Sequence, residues 1–355
     1  MSYGIRKMAK PRWAFVLVAL FWAAPAVRAF DAIYAFGDSL TDTGNKPAPA
    51  PDYFQGRYSN GALWIEILSV QLGFDYAAAN NYAESGGETA DALAQVQRFV
   101  APTNTPYGLF VVWAGGNDFI DNFAQGTNDS FWSGLIAQSV ANLSNAVTVL
   151  QADGARVILV PNLVDLSRIP LVLDKDVPAA VQTYLHDKVD EFNTALSAAL
   201  MSIAQANPDL QLITPDVHAR FDELLANLNA NGFTKADPDA LGDPQLTDKS
   251  FTGPGQDYVF WDQFHPTTKA HALVARWFQQ ALPPPVPPSR LALVATAGAL
   301  QFTFGDLQSG QAYTLQTSMN LIDWTTITNF TATNSLQQWS MPLASPALGF
   351  FRLKM

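Results

Sequence analysis

A three-layer α/β/α domain with a parallel sheet, followed by a small all-β sandwich, is the fold class that this 355-residue sequence predicts. Two observations carry it. Short apolar runs alternate with much longer helical stretches, which requires crossover connections and hence parallel strands covered on both faces. A proline run then separates this region from a tail of different composition, poor in acidic residues and alternating as strands do.

The organising stretch is Ala32 to Leu40, a strand-like apolar run that ends in Gly37-Asp38-Ser39. In open α/β sheets ligands gather at such strand ends, where helix N-termini also converge. After a polar loop to Tyr58, a helix is expected around Leu63 to Leu72 and a weaker strand near Asp75 to Ala79. A helix follows from Glu88 to Val100. Leu109 to Ala114 reads as a buried strand running into Gly115-Gly116-Asn117-Asp118. Ser130 to Ala152 is helical, Arg156 to Val160 a strand, Pro178 to Ala206 helical, and Leu210 to Thr214 the last core strand. The final helix is expected to start at Pro266 and run to about Gln280, with Ala270, Leu273, Val274 and Trp277 at helical spacing. Residues 30–282 thus form one domain, 283–289 a semi-rigid linker and 290–355 a β module. Its strand candidates are Leu300 to Phe304, Ala312 to Thr317, Trp324 to Thr331, Leu336 to Met341 and Gly349 to Leu353.

Residues 1–29 read as a signal peptide. Arg6, Lys7, Lys10 and Arg12 precede an apolar stretch from Trp13 to Ala24, too short to span a bilayer, and Val27-Arg28-Ala29 offers a small-residue cleavage site. The expected location is therefore secreted. Cleavage leaves 15 Lys+Arg against 31 Asp+Glu, a formal charge of −16. That balance excludes nucleic acid as a partner and repels anionic membrane surfaces. With no cysteine in the chain, zinc-thiolate sites and thiol nucleophiles are excluded and the core alone must hold the exported fold.

Chemistry concentrates at three places. Gly37 lacks a Cβ and permits a sharp turn that lifts Ser39 out of the sheet. Pro266 disfavours a helical conformation at His265, which places the imidazole just outside a helix start. Asp262 can then hold one ring nitrogen, leaving the other to take the Ser39 proton.

Four blocks resemble those of the GDSL, or SGNH, hydrolase family: Gly37-Asp38-Ser39-Leu40 with Thr41-Asp42-Thr43-Gly44-Asn45; Asn81-Tyr82-Ala83 with Gly86; Gly115-Gly116-Asn117-Asp118; and Asp262-Gln263-Phe264-His265-Pro266. Gly56-Arg57-Tyr58-Ser59-Asn60-Gly61 and Trp64 resemble the segment between the first two blocks. The resemblance implies a flavodoxin-like sheet and a serine esterase or lipase with Ser39, His265 and Asp262 as its triad. It also implies an oxyanion hole made by the backbone N–H groups of Ser39 and Gly86 and the side chain of Asn117. No cofactor and no metal are implied. The tail, through Tyr313-Thr314-Leu315-Gln316, Asn320-Leu321, Asp323-Trp324 and Phe350-Phe351-Arg352-Leu353, resembles short Trp-containing modules appended to secreted bacterial proteins.

Plainer readings stand beside these. Asp38 and Asp42 read as helix caps. His186, His218 and His271 read as surface or packing residues, with no metal-ligand spacing between them, and Asn117 to Asp129 fits no calcium loop. Ala83-Glu84-Ser85-Gly86-Gly87 approaches the G-x-S-x-G elbow of α/β-hydrolases, but the segment before it is a poor buried strand. Phe119, Phe123, Phe131, Trp132, Phe260, Trp261 and Phe264 read first as core and second as an acyl pocket. Trp324 and Trp339 likewise read as sandwich core before sugar-stacking residues. The expected substrate is a neutral acyl ester, with acetylated polysaccharide as runner-up if the tail binds glycans or a cell surface, and phospholipids as a further alternative. A non-catalytic surface-binding protein on the same scaffold would be expected to have lost Ser39, Asn117 or His265, and all three are present.

Overall fold

The computed structural model describes residues 30, 32–102, 105, 108–173, 177–283, 289–296, 299–307, 309–319, 321–342 and 350–354. The expected signal peptide and most of the linker lie outside these residues. The chain divides into two compact units, one over Arg28–Pro285 and the other holding the C-terminal strands.

In the first unit, β1 (Ala32–Gly37), β2 (Gly108–Trp113), β3 (Val157–Leu159) and β4 (Gln211–Ile213) form one sheet in the order β1-β2-β3-β4. Every pairing is parallel. Helices α1 (Trp64–Gln71), α2 (Thr89–Arg98), α4 (Asp129–Ala152) and α6 (Ala179–Ala206) cover it, with shorter α3 (Gly116–Ile120), α5 (Pro170–Leu173) and α7 (Val217–Ala226), and α8 (Thr268–Ala281) closes the unit. Successive strand residues face opposite layers, so two apolar cores result. Tyr34, Phe36, Phe110 and Val112 pack with residues of α2, α4 and α6. Ile33, Ala35, Leu109 and Val111 pack with Trp64, Leu68 and Phe278 of α1 and α8. The strands are continuous apolar runs because both faces are buried.

Two expectations are corrected. Asp75 to Ala79 is not a strand: the chain makes a short turn at Ala78–Asn80 and meets β1 through one parallel bridge, Ala35 to Asn81. Asn81 is otherwise engaged, its amide donating to the Thr41 carbonyl at 2.7 Å and Tyr76 Oη at 3.0 Å. The last helix starts at Thr268 and not at Pro266. Pro266 pairs as an isolated bridge with Phe260, and the Thr267 hydroxyl caps the helix by accepting from the Ala270 N–H. The chain leaves β1 toward the Asn81 bridge on one flank and returns as β2 on the other, and the C-terminal end of β1 is the expected ligand edge.

The second unit holds two antiparallel three-stranded sheets. One has the order β5 (Arg290–Thr296), β6 (Ala299–Gly305), β9 (Leu336–Pro342); the other has β10 (Phe350–Lys354), β7 (Ala312–Ser318), β8 (Thr325–Thr331). Leu300, Phe302 and Phe304 of the first share a core with Tyr313 and Leu315 of the second. The first of these strands was not anticipated from the sequence. Trp339 packs against Phe302 with ring centroids 5.6 Å apart, and the Arg352 guanidinium covers Trp324 at 4.0 Å. Among the described residues no helix is long and apolar enough to cross a membrane.

Candidate active site

Ser39 lies just past the end of β1. Gly37 adopts φ +154°, and a Cβ there would sit 2.0 Å from the Trp113 carbonyl oxygen of β2, so the turn admits only glycine. The Gln95 amide clamps this point from α2, accepting from the Gly37 N–H at 2.7 Å and donating to the Gly37 carbonyl at 2.9 Å. No helix follows the serine, so Asp38 and Asp42 do not cap one as expected. Asp38 is buried, its carboxylate accepting from the Leu40 N–H, and burial pushes its pKa up to about 7.

Asp42 has a different task. It is fully buried, and its carboxylate accepts from the Gly44, Asn45, Lys46 and Ser85 N–H groups and from the Ser85 hydroxyl, all within 3.0 Å. Ser85 is thereby committed to Asp42, which removes it as a rival to Ser39. The same contacts hold the turn that presents Gly86 at φ +79°. Glu84 N–H donates to the Gly37 carbonyl at 3.1 Å, tying the turn to the end of β1. Among the described residues, the backbone N–H groups of Ser39 and Gly86 meet no hydrogen-bond acceptor.

Asn117 stands in the first turn of α3. One hydrogen of its amide goes to the Gly87 carbonyl at 2.9 Å, and the side chain borders the same cavity as Ser39 and Gly86. The neighbouring Asp118 is buried and accepts from the Thr89 N–H at 2.9 Å, the Thr89 hydroxyl at 2.6 Å and the Ser139 hydroxyl at 2.7 Å, joining α2, α3 and α4.

The remaining residues arrive on the loop that precedes α8. His265 Nε2 is 2.8 Å from Ser39 Oγ, and Nδ1 is 2.9 and 2.8 Å from the two carboxylate oxygens of Asp262. Asp262 Oδ1 also accepts from the Phe264 and His265 N–H groups at 2.8 and 2.7 Å. Burial pushes the Asp262 carboxyl up, but the charge and hydrogen bond of His265 outweigh it and hold its pKa below the ordinary value. A carboxylate on Nδ1 selects the tautomer whose Nε2 can accept the serine proton.

Beside these groups lies a cavity of about 250 Å³ bordered by Ile120, Val164, Leu166, Ile169, Val217 and Phe221 among others. Of the aromatic residues noted in the sequence, Phe260 and Phe264 reach it, while Phe119 and Trp132 are buried together in the core with centroids 5.3 Å apart. Trp261 is buried in a smaller cluster with Tyr258 and Leu246.

Asp165, His186 and His218, unrelated in sequence spacing, are brought within 4.8 Å of one another through potential ligand atoms. The Asn193 amide is oriented by the Leu163 N–H and carbonyl, both at 2.9 Å, and so donates to His218 Nδ1 at 3.0 Å. That bond leaves the ring proton on Nε2, which faces Asp190 and Asp222 at 3.6 Å. His186 Nδ1 is 2.9 Å from Asp165, which raises its pKa. With the His218 lone pair engaged, the chemistry suits a polar hydrogen-bonded network better than a metal centre. His271, by contrast, is fully buried, with no hydrogen-bond partner for either ring nitrogen among the described residues, and burial pushes its pKa down to about 3.

Residues 33–278 match the model of the GDSL-like lipase/acylhydrolase family. The chain belongs to that family. It is an ester hydrolase of the serine type. A GDSL esterase/lipase of Arabidopsis thaliana is 24% identical over 311 residues, 69% of this chain and 80% of the relative. The phosphatidylcholine-sterol acyltransferase of Aeromonas hydrophila is 25% identical over 326 residues, 73% of this chain and 92% of the relative. Among solved structures, an acetylxylan esterase from Geobacillus stearothermophilus aligns with a TM-score of 0.42 at 16% identity, covering 70% of this chain and 93% of the other.

Proposed function

We propose that this protein is an exported esterase in which Ser39 is the nucleophile, His265 the general base and acid, and Asp262 the residue that orients it. Ser39 Oγ attacks the ester carbonyl as His265 Nε2 takes its proton. The negative oxygen that forms is met by the N–H groups of Ser39 and Gly86 and the Asn117 amide. His265 returns the proton to the leaving alkoxide, the acyl group stays on Ser39, and water activated by the same imidazole releases it as the acid. The observation that carries this is the unbroken line of short contacts from Ser39 Oγ through His265 to Asp262, at the edge of a cavity also bordered by Gly86 and Asn117.

The apolar border of the cavity and the acidic surface favour a neutral ester with an acyl chain longer than acetyl. Acetylated polysaccharide is the second choice, and the signal-like residues 1–29 support action outside the cytoplasm. Burst kinetics on p-nitrophenyl esters of increasing chain length test the assignment. Ser39→Ala is expected to abolish the acyl-enzyme burst and Ser85→Ala to keep it, with rates rising beyond the acetate. A surviving burst in Ser39→Ala ends this mechanism.

A further inference from the structure

Around the acid–base pair, the loop 52–60 makes contacts that neither the family's four blocks nor the proposed mechanism uses. Tyr53 Oη lies 2.7 Å from Asp262 Oδ2. The Tyr58 ring lies against the His265 imidazole, centroids 4.6 Å apart and planes 30° from parallel. Tyr53 and Tyr58 also pack on each other, with centroids 5.0 Å apart. The loop is bonded to the segment carrying the pair by the Trp261 indole N–H to the Asp52 carbonyl at 2.8 Å and the Ser59 hydroxyl to the Pro266 carbonyl at 2.9 Å.

The donors on Asp262 are unevenly divided. Oδ1 accepts two backbone N–H groups besides its contact with His265 Nδ1, whereas Oδ2 has, among the described residues, only the His265 contact and the Tyr53 hydroxyl. Among the described residues, Tyr53 therefore supplies the one hydrogen bond from outside the turn that restrains rotation of the carboxylate about its last torsion, and it draws charge from one of the two oxygens facing the imidazole. We propose that Tyr53 is a positioning residue of the charge-relay pair, acting through Asp262 to set both the direction and the proton affinity of His265. The phenol keeps its proton through the working pH range, because burial and the adjacent carboxylate push its pKa well above the ordinary value. This inference rests on the Ser39, His265 and Asp262 assignment.

The direction of the effect follows from charge. A carboxylate that has lost a hydrogen-bond donor is more basic and stabilises the neighbouring imidazolium more strongly, while Asp38 and His271, the other titratable groups whose charge couples to His265, are left in place by the substitution. Tyr53→Phe keeps the ring against Tyr58 and deletes only the hydroxyl. Its acidic limb of kcat/KM is expected to move to higher pH by about half a unit to one unit. At neutral pH kcat is expected to fall about tenfold with KM nearly unchanged, since the contact orients the base and touches no substrate. A fluorotyrosine placed at this position, a stronger donor of nearly the same shape, should shift the limb the opposite way. That second measurement serves if the phenylalanine variant fails to fold. An unmoved limb in a folded Tyr53→Phe enzyme, or a loss of kcat that only follows a lowered Tm, overturns the proposal. Ser39→Ala, assayed alongside, separates this failure from failure of the mechanism, because it must be inert whatever Tyr53 does.

Discussion

The two halves of the active site are held in different ways. Ser39 sits just past a parallel strand and Asn117 in the first turn of a helix, where regular backbone bonding already sets their positions, and Gly86 lies in a turn tied to the end of β1 through the Glu84 N–H. The residual freedom of their turns is removed by two buried carboxylates, Asp42 and Asp118, each saturated with donors. His265 and Asp262 come from a long connection between α7 and α8 that contains only short turns and two isolated bridges, Lys235 to Tyr258 and Phe260 to Pro266. There, side chains do what a sheet does elsewhere: Thr267 Oγ1 donates to the Tyr258 carbonyl at 2.8 Å, and Thr268 Oγ1 to the Ala62 carbonyl at 2.7 Å. The groups proposed to meet the developing charge are thus fastened to the sheet edge and a helix start, while the proposed proton-transfer pair hangs from a loop whose alignment depends on a second loop.

The sharpest way to break this contrast is at Asn117. Asn117→Ala removes a donor from the strand-end half, and a fall in kcat on the order of 10²–10³ with an unchanged melting curve is expected. Near-normal turnover in the folded variant would mean that the backbone N–H groups suffice. Asp42→Asn comes next, since an amide can satisfy only part of what the carboxylate accepts and leaves buried N–H groups unpaired. A loss of about 3 kcal/mol in urea unfolding is expected, with activity lost because the Gly86 turn shifts. If stability held and only activity fell, Asp42 would belong to the chemistry and not to the scaffold.

The smallest effect contrasts two histidines of the acid–base half. His265 has a partner at each nitrogen, whereas His271 in α8 has none among the described residues. With a folded pKa of about 3 against an ordinary value of 6.5, His271 binds protons more readily in the unfolded chain, so it costs stability progressively as pH falls below 6.5. His271→Leu should gain Tm over wild type as pH drops from 6.5 toward 4 and differ little above pH 7. A pH-independent difference would show that packing, and not protonation, governs the position.

Much of the proposed site was legible because its residues sit in short local patterns. Gly37 before Ser39 announced a strand-end turn, and Asp262 three positions before His265 could reach its ring without knowledge of anything else. The supporting residues were not legible. Asp42 looked like a helix cap because Asp is common at helix starts. Its partners Gly44, Asn45 and Lys46 follow it within four residues, but Ser85 lies in a distant segment that only folding brings to the same carboxylate. Tyr53 gave no signal, since its contact with Asp262 spans most of the domain. The misplaced strand at Asp75 to Ala79 and the helix start at Pro266 failed for a related reason. Local propensity was overridden by side-chain bonds of Asn81 and by the pairing of Pro266 with Phe260.

By itself the sequence determined the alternation of buried strands and helices, and with it the sheet and the edge where Ser39 would stand, because hydrophobic periodicity and glycine turns are properties of neighbours along the chain. The tertiary structure alone decided that the imidazole meets the serine at 2.8 Å, that Ser85 is tied to Asp42, and that Tyr53 reaches Asp262. Those contacts join residues far apart in sequence, and hydrogen-bond geometry between such residues exists only once the chain has closed around its core.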